Sequence, residues 1–512
     1  MNNTTRIAKN TLALYFRQIL IMIVSLYTVR VVLNTLGAED YGIYNVVAGV
    51  VTMFSFLSGA MATASQRFFS FEMGKGNEAG LAHIFSVTLT IYAFLSVIIV
   101  IFAETLGLWF VCTKLVIPLE RMTAAKWIYQ CAVISFLFTI MTTPYMSTII
   151  AHENMNVYAY VSIVEVVLKL AVVFVLKVVS TDKLILYGIL LLFVAMINTG
   201  LYRFYCKRHY KECKFKLRWD RKLYSEMFSF TSWTLFGQFT GIIRNQAVTV
   251  LINQFFNPVV VAARSIAQQV TNAVSVFSSN FNTSLYPPII KEYSIGNKEE
   301  MFRLVNNGSK MTFFLMWFFT LPLLLHLDFV LDLWLKEVPK WTVLFTRLSL
   351  VDVLINSLGF PLQTAARAPG KMRTYELTLG IMQLLIFPVS LVLFRMEFAA
   401  WSAFAVSITA TVFMMVARLI LVKSLVGIPI GQFFIKTILP LFMMMMASLG
   451  IVIGIRYLLP VGNIFILGQI VFSVPVSCAT MFFIGFNREH RKQVIRIIKN
   501  KLMASNHDNN YR

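Results

Sequence analysis

Long apolar runs follow one another from about residue 11 to residue 486, separated by short polar breaks. Each run reaches roughly 20 residues, the length a helix needs to cross the hydrocarbon core of a bilayer. The breaks predict fourteen spans, at about 11–36, 42–64, 83–111, 125–150, 158–179, 184–206, 226–252, 258–285, 309–331, 342–366, 374–395, 399–421, 437–459 and 462–486. No polar segment between them is long enough for a separate soluble domain. The opening MNNTTRIAKN is short and polar, and the run after it lacks a small-residue cleavage site. The first helix is therefore expected to act as its own insertion signal.

The pattern also repeats. Glu72, Gly76 and Asn77 in FEMGKGN recur as Glu292, Gly296 and Asn297 in KEYSIGN, 220 residues later. Pro144, Ala151, Met155 and Tyr158 recur as Pro361, Ala368, Met372 and Tyr375, at a spacing of 217. Two matches at nearly one offset predict a duplicated bundle, with spans 1–6 and 7–12 as the units. Six is even, so both units insert the same way up. The expected fold is an all-α polytopic membrane protein of two parallel six-helix repeats plus two C-terminal helices. Its parts are a first lobe over 1–206, a basic linker over 207–225, a second lobe over 226–422, two further helices over 423–486 and a basic tail over 487–512.

Composition agrees with this reading. The 512 residues are 58% hydrophobic and only 13% charged, about half the charged share of a soluble domain. The net charge of +22 suggests nucleic acid until its position is considered. Lys207, Arg208, Lys211, Lys214, Lys216, Arg218, Arg221 and Lys222 fall on one connection, and the other basic connections lie on the same side. The opposite turns are poor in base: 37–41 holds Glu39 and Asp40 alone. The positive-inside rule then places both termini in the cytoplasm. From Arg491, RKQVIRIIKNKLM sets Val494, Ile495, Ile498 and Leu502 on one face, which reads either as a basic helix lying on an anionic leaflet or as a solvated charged tail. The five cysteines are scattered with no CxxC, so neither a disulfide framework nor a metal site is expected.

The candidate chemistry lies in charges at membrane depth, which cost several kcal/mol and usually face a cavity or a partner. Arg30, Arg244 and Arg264 stand in spans 1, 7 and 8. Counted from the turns near Ala38 and Phe255, at about 1.5 Å per residue, all three fall within about 5 Å of one depth. Guanidinium forks suit phosphate because they donate paired hydrogen bonds, so the three are candidates for an anion site; the alternative for each is pairing with a carboxylate or snorkelling to the surface. Spans 1, 7 and 8 hold no acidic residue in their membrane portions. Glu165 and Asp352 are candidates for ion coupling, although Glu165 shares a helix face with Lys169 and can simply neutralise it. Gln66, Arg67, Glu72 and Glu292 lie at helix ends and are expected to brace loops. No cofactor is expected beyond a proton or sodium gradient.

The stretch from Val29 to Gly37, VRVVLNTLG, followed by Tyr41-Gly42-Ile43-Tyr44, resembles the first-helix signature of polysaccharide transporters, the O-antigen flippases. These sit in the multidrug/oligosaccharidyl-lipid/polysaccharide exporter superfamily. The paired loops FEMGKGN and KEYSIGN are similar to that family's too. The resemblance implies a V-shaped pair of lobes that moves an undecaprenyl-pyrophosphate-linked oligosaccharide across a bacterial inner membrane. A related lipid II flippase binds pyrophosphate with arginines on its first, second and eighth helices, which Arg30 and Arg264 match by helix. Span 2 here has no arginine at mid-membrane, and Arg244 is the substitute inferred from depth.

Two other readings compete. A multidrug and toxin extrusion antiporter expects an acidic residue within span 1 or 2, and the membrane portions of both lack one. A glycan polymerase or ligase expects catalytic residues on a long outer loop, and no outer connection exceeds about 20 residues. Expected partners are the lipid-linked glycan, anionic membrane lipid at the basic loops, and a glycan polymerase; nucleic acid is not among them.

Overall fold

The computed structural model describes residues 3–52, 54–115, 117–179, 182–216, 220–256, 258–335, 337–458, 462–486 and 491. Among these residues the chain is helical almost throughout and contains no β-strand. Beyond Arg491 itself, the amphipathic segment expected there lies outside the described residues. By length and composition, eleven helices among the described residues can cross a membrane, or twelve when the bent pair Glu39–Thr52 and Ser55–Gly74 is taken as one span. The two long helices that fall short of that apolarity are Arg221–Phe255 and Pro258–Ser294. They are the ones read above as spans 7 and 8. With 35 and 37 residues, they reach about 50 Å, well beyond the ~30 Å hydrocarbon core. Their shortfall comes from polar residues along their length, among them Asn245, Gln246, Gln268 and Asn272. Counting them as spans gives fourteen; apolarity alone gives eleven or twelve.

The break between spans 1 and 2 is tighter than the turn expected over 37–41. The helix Asn3–Thr52 runs on either side of a single non-helical residue, Gly37, at φ 83° and ψ 167°. A side chain at this φ would be strained, so the LG of the signature is a backbone requirement. Three residues on, Asp40 accepts from Arg121 (Nε to Oδ1 2.8 Å), whose Nη1 also reaches Asp182 Oδ2 at 2.9 Å. One guanidinium thus bridges the two carboxylates Asp40 and Asp182 near this turn.

The duplicated motifs are duplicated structures. Gly76 and Gly296 both have positive φ, 69° and 79°. Asn77 Nδ2 donates to Glu72 Oε2 at 2.8 Å, and Asn297 Nδ2 donates to Glu292 Oε2 at 2.8 Å. Each asparagine also caps the next helix through Oδ1, which accepts from the Gly80 amide at 3.0 Å and from the Glu300 amide at 3.3 Å. The motif is thus a turn that ends one helix and starts the next. In the second match, Met155 and Met372 are buried. Glu153 (φ 60°) and Gly370 (φ 81°) hold the same left-handed backbone at the 217 spacing.

Contacts gather the chain into two compact units that cut across the repeats. One holds residues 1–242, 283–301 and 364–380; the other holds 243–282, 302–363 and 381–512. In the first, Tyr286, Ile290 and Ala368 from the second repeat form one buried cluster with Phe71 and Tyr293 against it. In the second, Val248, Leu251, Ile252, Val260, Ala263 and Ala267 zip the two polar helices together. Phe345 stacks on Phe404 beside them, with ring centroids 4.4 Å apart.

Candidate functional site

Two of the three membrane arginines meet in the second unit. Arg244 projects from the helix Arg221–Phe255 and donates from Nη2 to Asp352 Oδ2 at 2.7 Å. The same Nη2 reaches Thr411 Oγ1 at 3.2 Å, and that hydroxyl donates to Asp352 Oδ1 at 2.5 Å. The carboxylate absent from span 7 is therefore supplied across the bundle by span 10. Arg244 and Asp352, read from the sequence as an anion ligand and a coupling acid, are each other's partner.

Arg264, from the helix Pro258–Ser294, has only neutral partners in hydrogen-bond reach among the described residues. Its Nε donates to Thr249 Oγ1 at 2.9 Å and its Nη2 to the Asn245 carbonyl at 3.1 Å. The Phe404 ring lies 5.3 Å from its guanidinium carbon. Arg244 and Asp352 are close enough to act on it electrostatically. Two guanidiniums and one carboxylate leave this cluster with a net charge of +1. Such an excess at membrane depth is what an anion would neutralise. Since Arg244 and Asp352 are mostly buried, removing one leaves the other uncompensated. Asp352→Ala is expected to destabilise the protein by about 2 kcal/mol, and Arg244→Ala/Asp352→Ala by less than the sum of the single changes. A thermal-melt double-mutant cycle in detergent measures this; additive losses would mean the pair does not couple.

Arg30 lies in the first unit on the helix that Gly37 ends. Its side chain is exposed and makes no ion pair or side-chain hydrogen bond among the described residues.

Glu165 opens into a cavity of about 630 Å³ within the first unit. Lys169 Nζ donates to its Oε1 at 2.6 Å and Asn198 Nδ2 to its Oε2 at 3.1 Å. Hydroxyls dominate the polar wall, including Ser55, Ser58, Ser135, Thr139 and Thr199. The carboxylate is both paired and facing space. Among the described residues no three acidic, histidine or cysteine side chains are grouped to hold a metal.

A cluster that the sequence did not single out forms where the repeated turns meet. Glu153 is fully buried and lies between two cations, with Oε1 2.7 Å from Lys291 Nζ and Oε2 2.7 Å from Arg6 Nε. At the equivalent turn of the second repeat, Arg67 donates from Nη2 (2.8 Å) and Nε (3.2 Å) to the Ala368 carbonyl. Its guanidinium is stacked over Phe68 and Phe71. The helices carrying the two motifs touch backbone to backbone: a Cβ at Gly74 would fall 1.9 Å from Ser294 Oγ and 2.8 Å from the Lys291 carbonyl. Glycine at 74 is thus a condition of this close approach. The signal for Glu153 was present in the repeat, whose second copy carries a glycine at that position.

Comparison with known proteins fits this architecture. A family model described as "Polysaccharide biosynthesis protein" matches residues 7–292, more than half of the chain. The chain belongs to that polysaccharide biosynthesis family. No curated protein matches it. Several solved structures share the fold at low identity. One is an outward-facing multidrug resistance MATE family transporter of the MOP superfamily, at 11% identity and a TM-score of 0.71. Another is a MATE protein in complex with MaL6, at 10% and 0.70. A third is a MOP superfamily transporter from Pyrococcus furiosus with a binding pocket of reverse polarity, at 10% and 0.69. Each alignment covers 83% of this chain and 97% of the other. This member of the polysaccharide biosynthesis family is therefore a multi-pass membrane protein with a MATE-type transporter fold.

Proposed function

We propose that the chain flips an undecaprenyl-pyrophosphate-linked oligosaccharide, a repeat unit of O-antigen, capsule or another surface polysaccharide, across the bacterial inner membrane. The observation that carries the reading is Arg264, a cation at membrane depth with hydrogen bonds only to a hydroxyl and a carbonyl. A pyrophosphate offers that fork the paired acceptors it lacks. Arg244 contributes charge and orientation from its pair with Asp352, and Arg30, in the first unit, is a separate candidate for pyrophosphate binding. Family membership supports a polysaccharide substrate, and the likeness to transporter folds supports alternating access as the way across.

On this reading the basic connections and both termini face the cytoplasm. The Glu153 cluster lies at that end and holds it shut in one state. Opening it exchanges the Lys291 and Arg6 contacts for water and for incoming substrate. Glu165, which faces a hydroxyl-lined cavity and pairs with the exposed Lys169, is the coupling group in this scheme, ahead of Asp352, which is held in the more buried pair with Arg244. Glu165→Gln is expected to leave membrane yield unchanged and to flatten the dependence of flipping on the proton or sodium gradient. An unaltered gradient dependence in vesicles would remove Glu165 from the scheme.

The deciding experiment is the sidedness of lipid-linked oligosaccharide in cells depleted of the protein. Accumulation on the cytoplasmic face, rescued by wild type and not by Arg264→Ala, is the expected result. Normal sidedness overturns the proposal and makes drug or cation efflux the next assay. Unpolymerised or unligated glycan on the outer face would point to an enzyme of assembly.

A further inference from the structure

A second cavity of the first unit has a different character. It measures about 1120 Å³ and runs between the helices Glu78–Phe102, Met122–Ala151 and Lys183–His209. Leu89, Ala93, Ile134, Leu137, Phe138 and Met141 make most of its wall. Arg203, Lys207 and Lys214 stand together where it meets the basic linker. All three are exposed, and none makes an ion pair or a side-chain hydrogen bond among the described residues. The acid nearest to them in sequence, Glu212, is taken by His152 at 2.6 Å. The His152 ring stacks on Tyr210, and Asn154 donates to the Tyr210 hydroxyl at 2.6 Å. The linker is pinned there, so Lys214 is held at the mouth of the groove.

Length and charge define the occupant. From Ile134 to Tyr145 the groove follows about 16 Å of helix at 1.5 Å per residue, close to half of a ~30 Å hydrocarbon core. That is the depth of one leaflet. The cations stand at one end and the apolar wall fills the rest, which matches a phosphate headgroup above ordinary acyl chains. A long prenyl tail overruns such a groove. We propose that this groove is a binding site for an anionic glycerophospholipid of the linker-side leaflet, separate from the Arg264 cluster and independent of the transported substrate.

The test uses the full chain in nanodiscs of defined composition, with phosphatidylglycerol or phosphatidylethanolamine as the probe and native mass spectrometry as the readout. Wild type is expected to retain phosphatidylglycerol at least about tenfold over phosphatidylethanolamine, because each basic residue at an anionic headgroup adds appreciably to binding. The variant Arg203→Ala/Lys207→Ala/Lys214→Ala is expected to lose that preference. Ala93→Trp, which fills the groove and leaves the cations, is expected to lose the retained lipid of either kind. Should the triple variant fail to fold, Arg203→Ala and Ala93→Trp decide the matter alone. Undiminished preference in the charge variants, or lipid still held by Ala93→Trp, overturns the site. Displacement of phosphatidylglycerol by equimolar undecaprenyl phosphate also overturns it, because the groove would then belong to the substrate's lipid.

Discussion

Arg264→Ala is expected to lower export of lipid-linked glycan by about 10- to 100-fold with little loss of folded protein. A hydrogen bond to a charged group contributes about 1.5–3 kcal/mol, and each 1.4 kcal/mol is a factor of ten. The fold bears the change because Arg264 has no carboxylate to strand: its partners are the Thr249 hydroxyl, the Asn245 carbonyl and the face of Phe404. Arg264→Lys separates charge from geometry. Lysine keeps the charge but not the planar fork, so an intermediate rate shows that the paired hydrogen bonds matter. Surface glycan, quantified against membrane yield of each variant, is the measurement. Equal export by wild type and Arg264→Ala would remove the residue from the substrate path.

Glu153→Ala is expected to cost more in stability than any other single change considered, about 3–5 kcal/mol. The Glu153 side chain is fully enclosed and Lys291 is about four-fifths so. Alanine leaves the lysine with a buried charge and no counterion. Arg6 is more than a third exposed, and its contact is screened accordingly. Glu153 also holds a left-handed backbone, φ 60°, which burdens any residue but glycine or asparagine by about 1–2 kcal/mol. Glu153→Gly therefore relieves backbone strain while removing the charge, and it should be less damaging than Glu153→Ala. Thermal melts in detergent order the two variants. If alanine and glycine behave alike, strain is not part of the cost. If neither lowers the melting temperature, the cluster does not hold this end of the molecule together. On the proposed mechanism, both variants also expose the helix ends around Ser294 to a water-soluble thiol reagent after Ser294→Cys labelling.

Much of this was legible in the linear chain, for reasons that differ from residue to residue. Glu72, Gly76 and Asn77 and their second copies build a local turn. Its backbone sign, side-chain bond and cap lie within about eight residues, so the motif and the structure coincide. Arg264 and its partners were legible through arithmetic: 264 lies about as far after the turn near Phe255 as 245–249 lie before it, and a helical hairpin sets them side by side. The Arg244–Asp352 pair was not legible, because 108 residues separate its members and only packing across the bundle chooses the partner. Glu153 was hidden for another reason. It stands in a helix-end sequence, HENMN, that reads as an ordinary polar turn, while its two cations come from residues 6 and 291. The break at Gly37 was foreseen in place but not in sharpness, since apolar periodicity reports where a span ends and not how few residues the chain needs to end it.

The polar pair Arg221–Phe255 and Pro258–Ser294 has a consequence for biosynthesis. A nascent helix partitions into lipid on its own apolarity, and a deep arginine opposes that step by about 2.5–3.5 kcal/mol. Each of these helices carries one, at Arg244 and Arg264. The counter-charge for Arg244, Asp352, emerges from the ribosome about a hundred residues later. Arg244 therefore gains its counter-charge only after the chain beyond Asp352 has been made. A truncation between residues 296 and 342 is expected to leave this hairpin poorly integrated, although both of its helices are complete.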